Sequence, residues 1–168
     1  IYSAVITDKG QYLAQEHGYP AMDFAALQTA VQQGMPYASY IDLTPALTLD
    51  CFYKTDLHWR QEALLPAAKL LADSMGVTLT ESYETVTSDT PFCGVYSGQS
   101  ALPMQPDTLR YLTNKTLQAC TVYDYETGTE GPVYALDELK GEDPYAVFLS
   151  GSRALLTITD PSAEGARE

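Results

Sequence analysis

Asp56-Leu57-His58-Trp59 is the one cluster in this 168-residue sequence whose residue types and spacing could do acid–base chemistry. A carboxylate stands two residues before an imidazole. Residues i and i+2 project the same way from an extended chain and diverge on a helix. The spacing predicts a helix from Gln61, which leaves Asp56 and His58 in the extended approach to it. There the Asp56 carboxylate could accept the Nδ1–H of His58, fix the tautomer and leave Nε2 as a base. Thr55 could help hold Asp56, and Trp59 could wall the imidazole from water. A half-buried histidine beside a helix-capping aspartate would show the same spacing, so the pattern alone leaves both open.

A base of this kind serves a nucleophile, and none is legible. There is no Gly-Asp-Ser and no Gly-x-Ser-x-Gly. Ser74 falls inside a predicted helix. Ser97, in Tyr96-Ser97-Gly98, and Ser150-Gly151-Ser152 sit beside glycines on predicted loops, where Ser and Gly build turns. The other histidine, His17, lies in the loop Glu16-His17-Gly18. Two scattered histidines do not make a metal site. Cys51, Cys93 and Cys120 form no Cys-x-x-Cys and allow one disulfide at most. Neither a metal nor a cofactor is expected.

The elements that must position Asp56 and His58 form an α/β pattern. Ile1–Ile6 is apolar and β-branched, as in a buried strand. Asp8-Lys9-Gly10 is a turn signal. Asp23 is an N-cap for a helix through Phe24–Val31, with Gly34 and Pro36 ending it. Tyr40–Leu43 reads as a second strand. Strand, helix and strand make a βαβ unit, whose strands run parallel. The next helix spans Gln61–Met75, with Leu64, Ala67, Ala68, Leu71 and Met75 on one face. Pro66 either kinks it or marks its first turn, and Gly76 closes it.

Residues 77–144 have a different texture, rich in Thr, Ser, Tyr, Gly and Pro, and read as a hairpin-bearing insertion in a single domain. Leu117–Tyr125 is a predicted strand, and Glu126–Gly131 a turn into Val133-Tyr134-Ala135. Tyr145–Leu149 and Ala154–Thr159 are further strand candidates flanking Ser150–Arg153.

The composition, 45% hydrophobic and 18% charged, is that of a globular chain. A net charge of −13 without a Lys/Arg cluster repels phosphate backbones and anionic membrane surfaces, so neither nucleic acid nor a membrane is expected as a partner. No apolar run is long enough to span a bilayer. The 13 tyrosines suit a sugar-facing surface or the interior of strands. Both termini read as cut from a longer protein.

Tyr53-Lys-Thr-Asp-Leu-His-Trp-Arg60 followed by a helix resembles the Asp-His-His-Trp block of the DHHW family, bacterial relatives of the SGNH hydrolases. Pro91-Phe-Cys-Gly94 is similar to that family's Phe-x-Gly segment, and Tyr145–Ile158 to its late strand, Gly-containing loop and strand. The resemblance implies a three-layer α/β/α fold with a mainly parallel sheet, related to the proteins that O-acetylate alginate. It implies a serine acyl-ester enzyme of the cell envelope, outside the cytoplasm, acting on surface polysaccharide. His58 is then the base and Asp56 its orienting partner. The serine is expected in an Asp-Ser-(Phe/Tyr) segment beyond Glu168, so residues 1–168 alone would be inactive. A non-catalytic module of the same fold, presenting tyrosines to a glycan or serving envelope assembly, is the alternative. Two positions depart from the family: Leu57 stands at the first His, and Ser150-Gly151-Ser152-Arg153 lacks the Asn found after the glycines. Gly151 and Ser152 are left as the candidates for an oxyanion-binding role.

Overall fold

The computed structural model describes residues 1–163, which fall into two compact units, Ile1–Glu81 and the described residues from Ser82 onward.

The first unit contains the predicted parallel pair. Strand β1 (Tyr2–Ser3) pairs in parallel with β2 (Ser39–Tyr40), Tyr2 opposite Ser39 and Ser3 opposite Tyr40. Between them lie a short α1 (Gly10–Leu13) and α2 (Phe24–Gly34). Asp23 caps α2 as its sequence position predicts, its Oδ1 accepting the Ala26 N–H at 2.9 Å. The strands are shorter than the apolar runs that announce them, and Ile1 and Ile6 are exposed. A single ladder pairs only two residues, because the chain leaves β2 for 3₁₀ turns at Thr44–Ala46 and Leu49–Cys51.

The predicted Gln61–Met75 helix is two elements, a 3₁₀ turn at Gln61–Ala63 and α3 (Leu65–Ser74). Pro66 sits in the first turn of α3, where its missing N–H costs nothing, so it starts the helix and does not kink it. Gly76 ends it with φ of +76°, a conformation that favours glycine. Ala67 is buried against Ile41, Leu43 and Leu47, with Ala46, Trp59, Leu70 and Leu71 packed around them. Met75 lies past the last turn and is exposed.

The second unit is antiparallel throughout its described residues. Strand β3 (Glu84–Phe92) pairs with β4 (Asp107–Thr113), with a register shift between Thr87 and Pro91. Helix α4 (Val95–Ser100) joins them. The predicted strand Leu117–Tyr125 divides into α5 (Lys115–Ala119) and β5 (Thr121–Asp124). Asn114 decides this by capping α5, accepting the Leu117 N–H at 2.8 Å. Strand β5 is central, between β6 (Thr129–Pro132) and β7 (Leu156–Thr159). The predicted strand Tyr145–Leu149 is instead a 3₁₀ turn at Pro144–Val147 with one bridge, Tyr134 to Phe148. Asp143 and Pro144 set that turn, the Asp143 Oδ1 accepting the Tyr145 N–H at 3.0 Å.

Much of the tyrosine complement is spent on packing. Tyr53 is fully buried, Tyr111 and Tyr134 have ring centroids 4.7 Å apart, and Tyr145 lies 4.9 Å from Phe148.

Candidate active site

Asp56 and His58 stand in a turn whose two ends are pinned. Phe52 bridges Trp59, the Arg60 N–H donates to the Cys51 carbonyl at 2.7 Å, and the Tyr53 N–H donates to the His58 carbonyl at 3.3 Å. Phe52 is buried and meets the Trp59 ring edge-on, centroids 6.1 Å apart. Trp59 therefore belongs to the unit's core on one side and closes the turn on the other.

Within the turn the Asp56 Oδ1 accepts two bonds from one residue, the His58 backbone N–H at 2.9 Å and the His58 ring Nδ1 at 2.5 Å. The juxtaposition expected from sequence is present, by a different route. The chain is bent over residues 54–58, not extended, and does not end a sheet strand. A side-chain oxygen bonded to the backbone two residues on is what aspartate does in turns. That bond brings the imidazole onto the same oxygen.

Burial is divided unequally. The Asp56 side chain is 3% exposed and that of His58 41%. Thr55 is fully buried beside them, and Leu57, where the DHHW block has its first His, is half exposed. An ionised carboxylate only accepts, so the shared proton sits on Nδ1 and the basic lone pair of the neutral ring on Nε2. The arrangement can hold one tautomer, offers an imidazolium a buried counter-charge and leaves the ring within reach of solvent.

Lys9 is the residue that sequence reasoning missed. Its Nζ donates to the carbonyls of Tyr53 and Asp56, both at 2.6 Å, and lies 3.5 Å from that of Lys54. Asp8-Lys9-Gly10 carried a turn signal, and nothing local connected it to a segment 44–47 residues away.

The other candidates lie elsewhere. Ser97 is on α4 and not on a loop, its hydroxyl buried without a hydrogen bond among the described residues. Ser74 donates to the Leu70 carbonyl at 2.7 Å along α3. Leu149, Ser150 and Gly151 are three consecutive left-handed residues, with φ of 56°, 59° and 85°, in the connection to β7, and Ser152 follows. Arg153 there lies 3.4 Å from Asp124. Burial alone would raise the Asp124 pKa. The N–H groups of Glu126 and Thr127, the Thr127 hydroxyl and the Arg153 charge outweigh it and hold the carboxyl below its ordinary value. Gly151 and Ser152 belong to the second unit, Asp56 and His58 to the first.

All three cysteines are free thiols, Cys51 and Cys120 buried and Cys93 exposed. Among the described residues no group of three His, Cys, Asp or Glu could hold a metal ion, and no helix is long and apolar enough to cross a membrane.

No protein-family model and no curated protein matches the chain. Solved structures do. A DHHW family protein from Eubacterium siraeum superposes with a TM-score of 0.75 at 19% identity over 96% of this chain. PatB1 from Bacillus cereus, in its structure with a sulfonyl adduct, gives 0.63 at 17% identity over 98%. A second PatB1 structure gives 0.59 at 17% identity over 98%. The chain thus shares the mixed α/β fold of these proteins, and spans 58%, 61% and 63% of their respective lengths.

Proposed function

We propose that residues 1–168 carry the base half of a serine acyl-ester enzyme, an O-acetyltransferase or esterase acting on surface polysaccharide outside the cytoplasm. The observation that carries this is the His58 Nδ1 at 2.5 Å from a carboxylate that is itself buried, on an imidazole that is not. His58 takes the proton of a serine hydroxyl through Nε2 as the hydroxyl attacks an acyl carbonyl, and returns it to the departing group. Asp56 holds the tautomer and stabilises the imidazolium. The domain is read as a three-layer SGNH-type fold with residues 77–144 inserted. The fold likeness to a DHHW family protein supports this, as does the sulfonyl adduct of PatB1, since sulfonyl electrophiles report activated nucleophiles.

The test is acetyl release from an aryl acetate by the complete protein. His58→Ala is expected to abolish it with the circular dichroism spectrum unchanged, and His17→Ala to leave it within about twofold. An active His58→Ala variant removes the catalytic assignment and leaves a glycan-binding module as the alternative.

A further inference from the structure

We infer that Lys9 is a positioning residue for the Asp56–His58 pair, its ammonium group tying down the backbone of the turn that presents both side chains. The role rests on the acyl-transfer reading of that pair. An ammonium carries three donors and no acceptor. It faces three carbonyls of one short segment, those of Tyr53 and Asp56 at 2.6 Å and that of Lys54 at 3.5 Å. A donor that reaches these carbonyls from elsewhere in the chain constrains how they point. Bonds from a charged donor are the stronger kind. By holding the carbonyls at both ends of Tyr53–Asp56, Lys9 sets the curvature of the segment. The Asp56 backbone, from which the carboxylate reaches Nδ1, is thereby fixed.

Lys9 is itself anchored at its root. Its own carbonyl accepts the Tyr12 and Leu13 N–H groups at 3.0 and 3.1 Å as α1 begins. The Asp8 Oδ1 accepts the Gly10 N–H at 2.6 Å, so close that a Cβ on residue 10 would stand 2.7 Å from that oxygen. The Asp8-Lys9-Gly10 turn thus aims a lysine across the first unit at the Asp56 turn. A carboxylate that pivots by about an ångström would stretch the 2.5 Å contact to Nδ1 past hydrogen-bonding range and lose the single tautomer that Nε2 needs.

The experiment uses the complete protein, with ¹⁵N-histidine labelling and kinetics on an aryl acetate. The His58 Nδ1–H resonance is assigned by its loss in His58→Ala. In Lys9→Met the resonance is expected to broaden or vanish through exchange with solvent, and kcat to fall about tenfold or more with KM within twofold. Lys9→Arg, which restores a charged donor, should recover part of both. If Lys9→Met fails to fold, Lys9→Gln, which keeps two neutral donors on a shorter side chain, takes its place, with a smaller loss of both expected. A folded Lys9 variant that keeps the resonance and kcat of the wild type overturns the inference. So does a loss that merely follows the unfolded fraction and is not restored by Arg. Full activity in His58→Ala would sink the acyl-transfer reading separately, and the resonance would still report whether Lys9 positions the pair.

Discussion

Asp56→Asn removes one negative charge while leaving the side chain nearly the same size. The amide oxygen can still accept the His58 N–H, now bonded at 2.9 Å, so the turn should survive. On the proposed acyl-transfer reading, what disappears is the carboxylate 2.5 Å from Nδ1 when His58 takes up the serine proton. Two unit charges centred about 4 Å apart attract by about 4 kcal/mol at an effective dielectric of 20. The carboxylate is 3% exposed and the ring 41%, so water screens the pair from the ring side only. A retained fraction of one half to all of that energy gives about 2–4 kcal/mol, or roughly 30- to 1,000-fold in kcat/KM. An amide that turns its NH₂ towards Nδ1 selects the wrong tautomer and adds to the loss. The assay is acetyl release from an aryl acetate by the complete protein at neutral pH, with thermal unfolding as the control. A folded Asp56→Asn variant within threefold of wild type would refute the reasoning, because no counter-charge would then be needed.

Three further expectations concern the framework. Leu43→Ala empties a fully packed position beside Ile41, Leu47 and Ala67 and should cost about 2–5 kcal/mol in urea unfolding. Ser150→Gly should be neutral or stabilising by up to about 1–2 kcal/mol, since Ser150 sits at φ of 59°; a clear loss of stability would point to a role for its side chain. Asp124 has a lowered folded pKa, so its contribution is present above the unfolded carboxylate value, about 3.9, and is lost as pH falls through the folded one. Asp124→Asn should accordingly flatten the acid side of the stability profile, read by denaturant titrations below about pH 4, and a profile identical to wild type would count against it.

By itself the sequence determined what depends on near neighbours. Asp23 capping α2, Pro66 opening α3, Gly76 closing it and a carboxylate meeting an imidazole two residues on are all events within one turn of chain. Each of these contacts joins residues a few positions apart in the chain, so residue type and spacing suffice to predict them. The parallel partnership of β1 and β2 was legible for a related reason, because a helix between two strands returns the chain in the same direction. Wherever two local signals competed, the tertiary structure chose between them. Leu117–Tyr125 is apolar enough for a strand, but the Asn114 cap takes its first half into α5, and β5 gets only the residues that β6 and β7 can pair. Tyr145–Leu149 has strand composition, but the Asp143-Pro144 turn and contact with Phe92 and Phe148 keep it a 3₁₀ turn. For Asp56 and His58 the sequence supplied the partners, whereas only the fold supplied the burial of one and the exposure of the other. The Lys9 contact lay beyond any local rule. Its ammonium meets carbonyls 44 to 47 residues away, and such a meeting exists only once the packed chain has brought α1 against the Phe52–Trp59 turn.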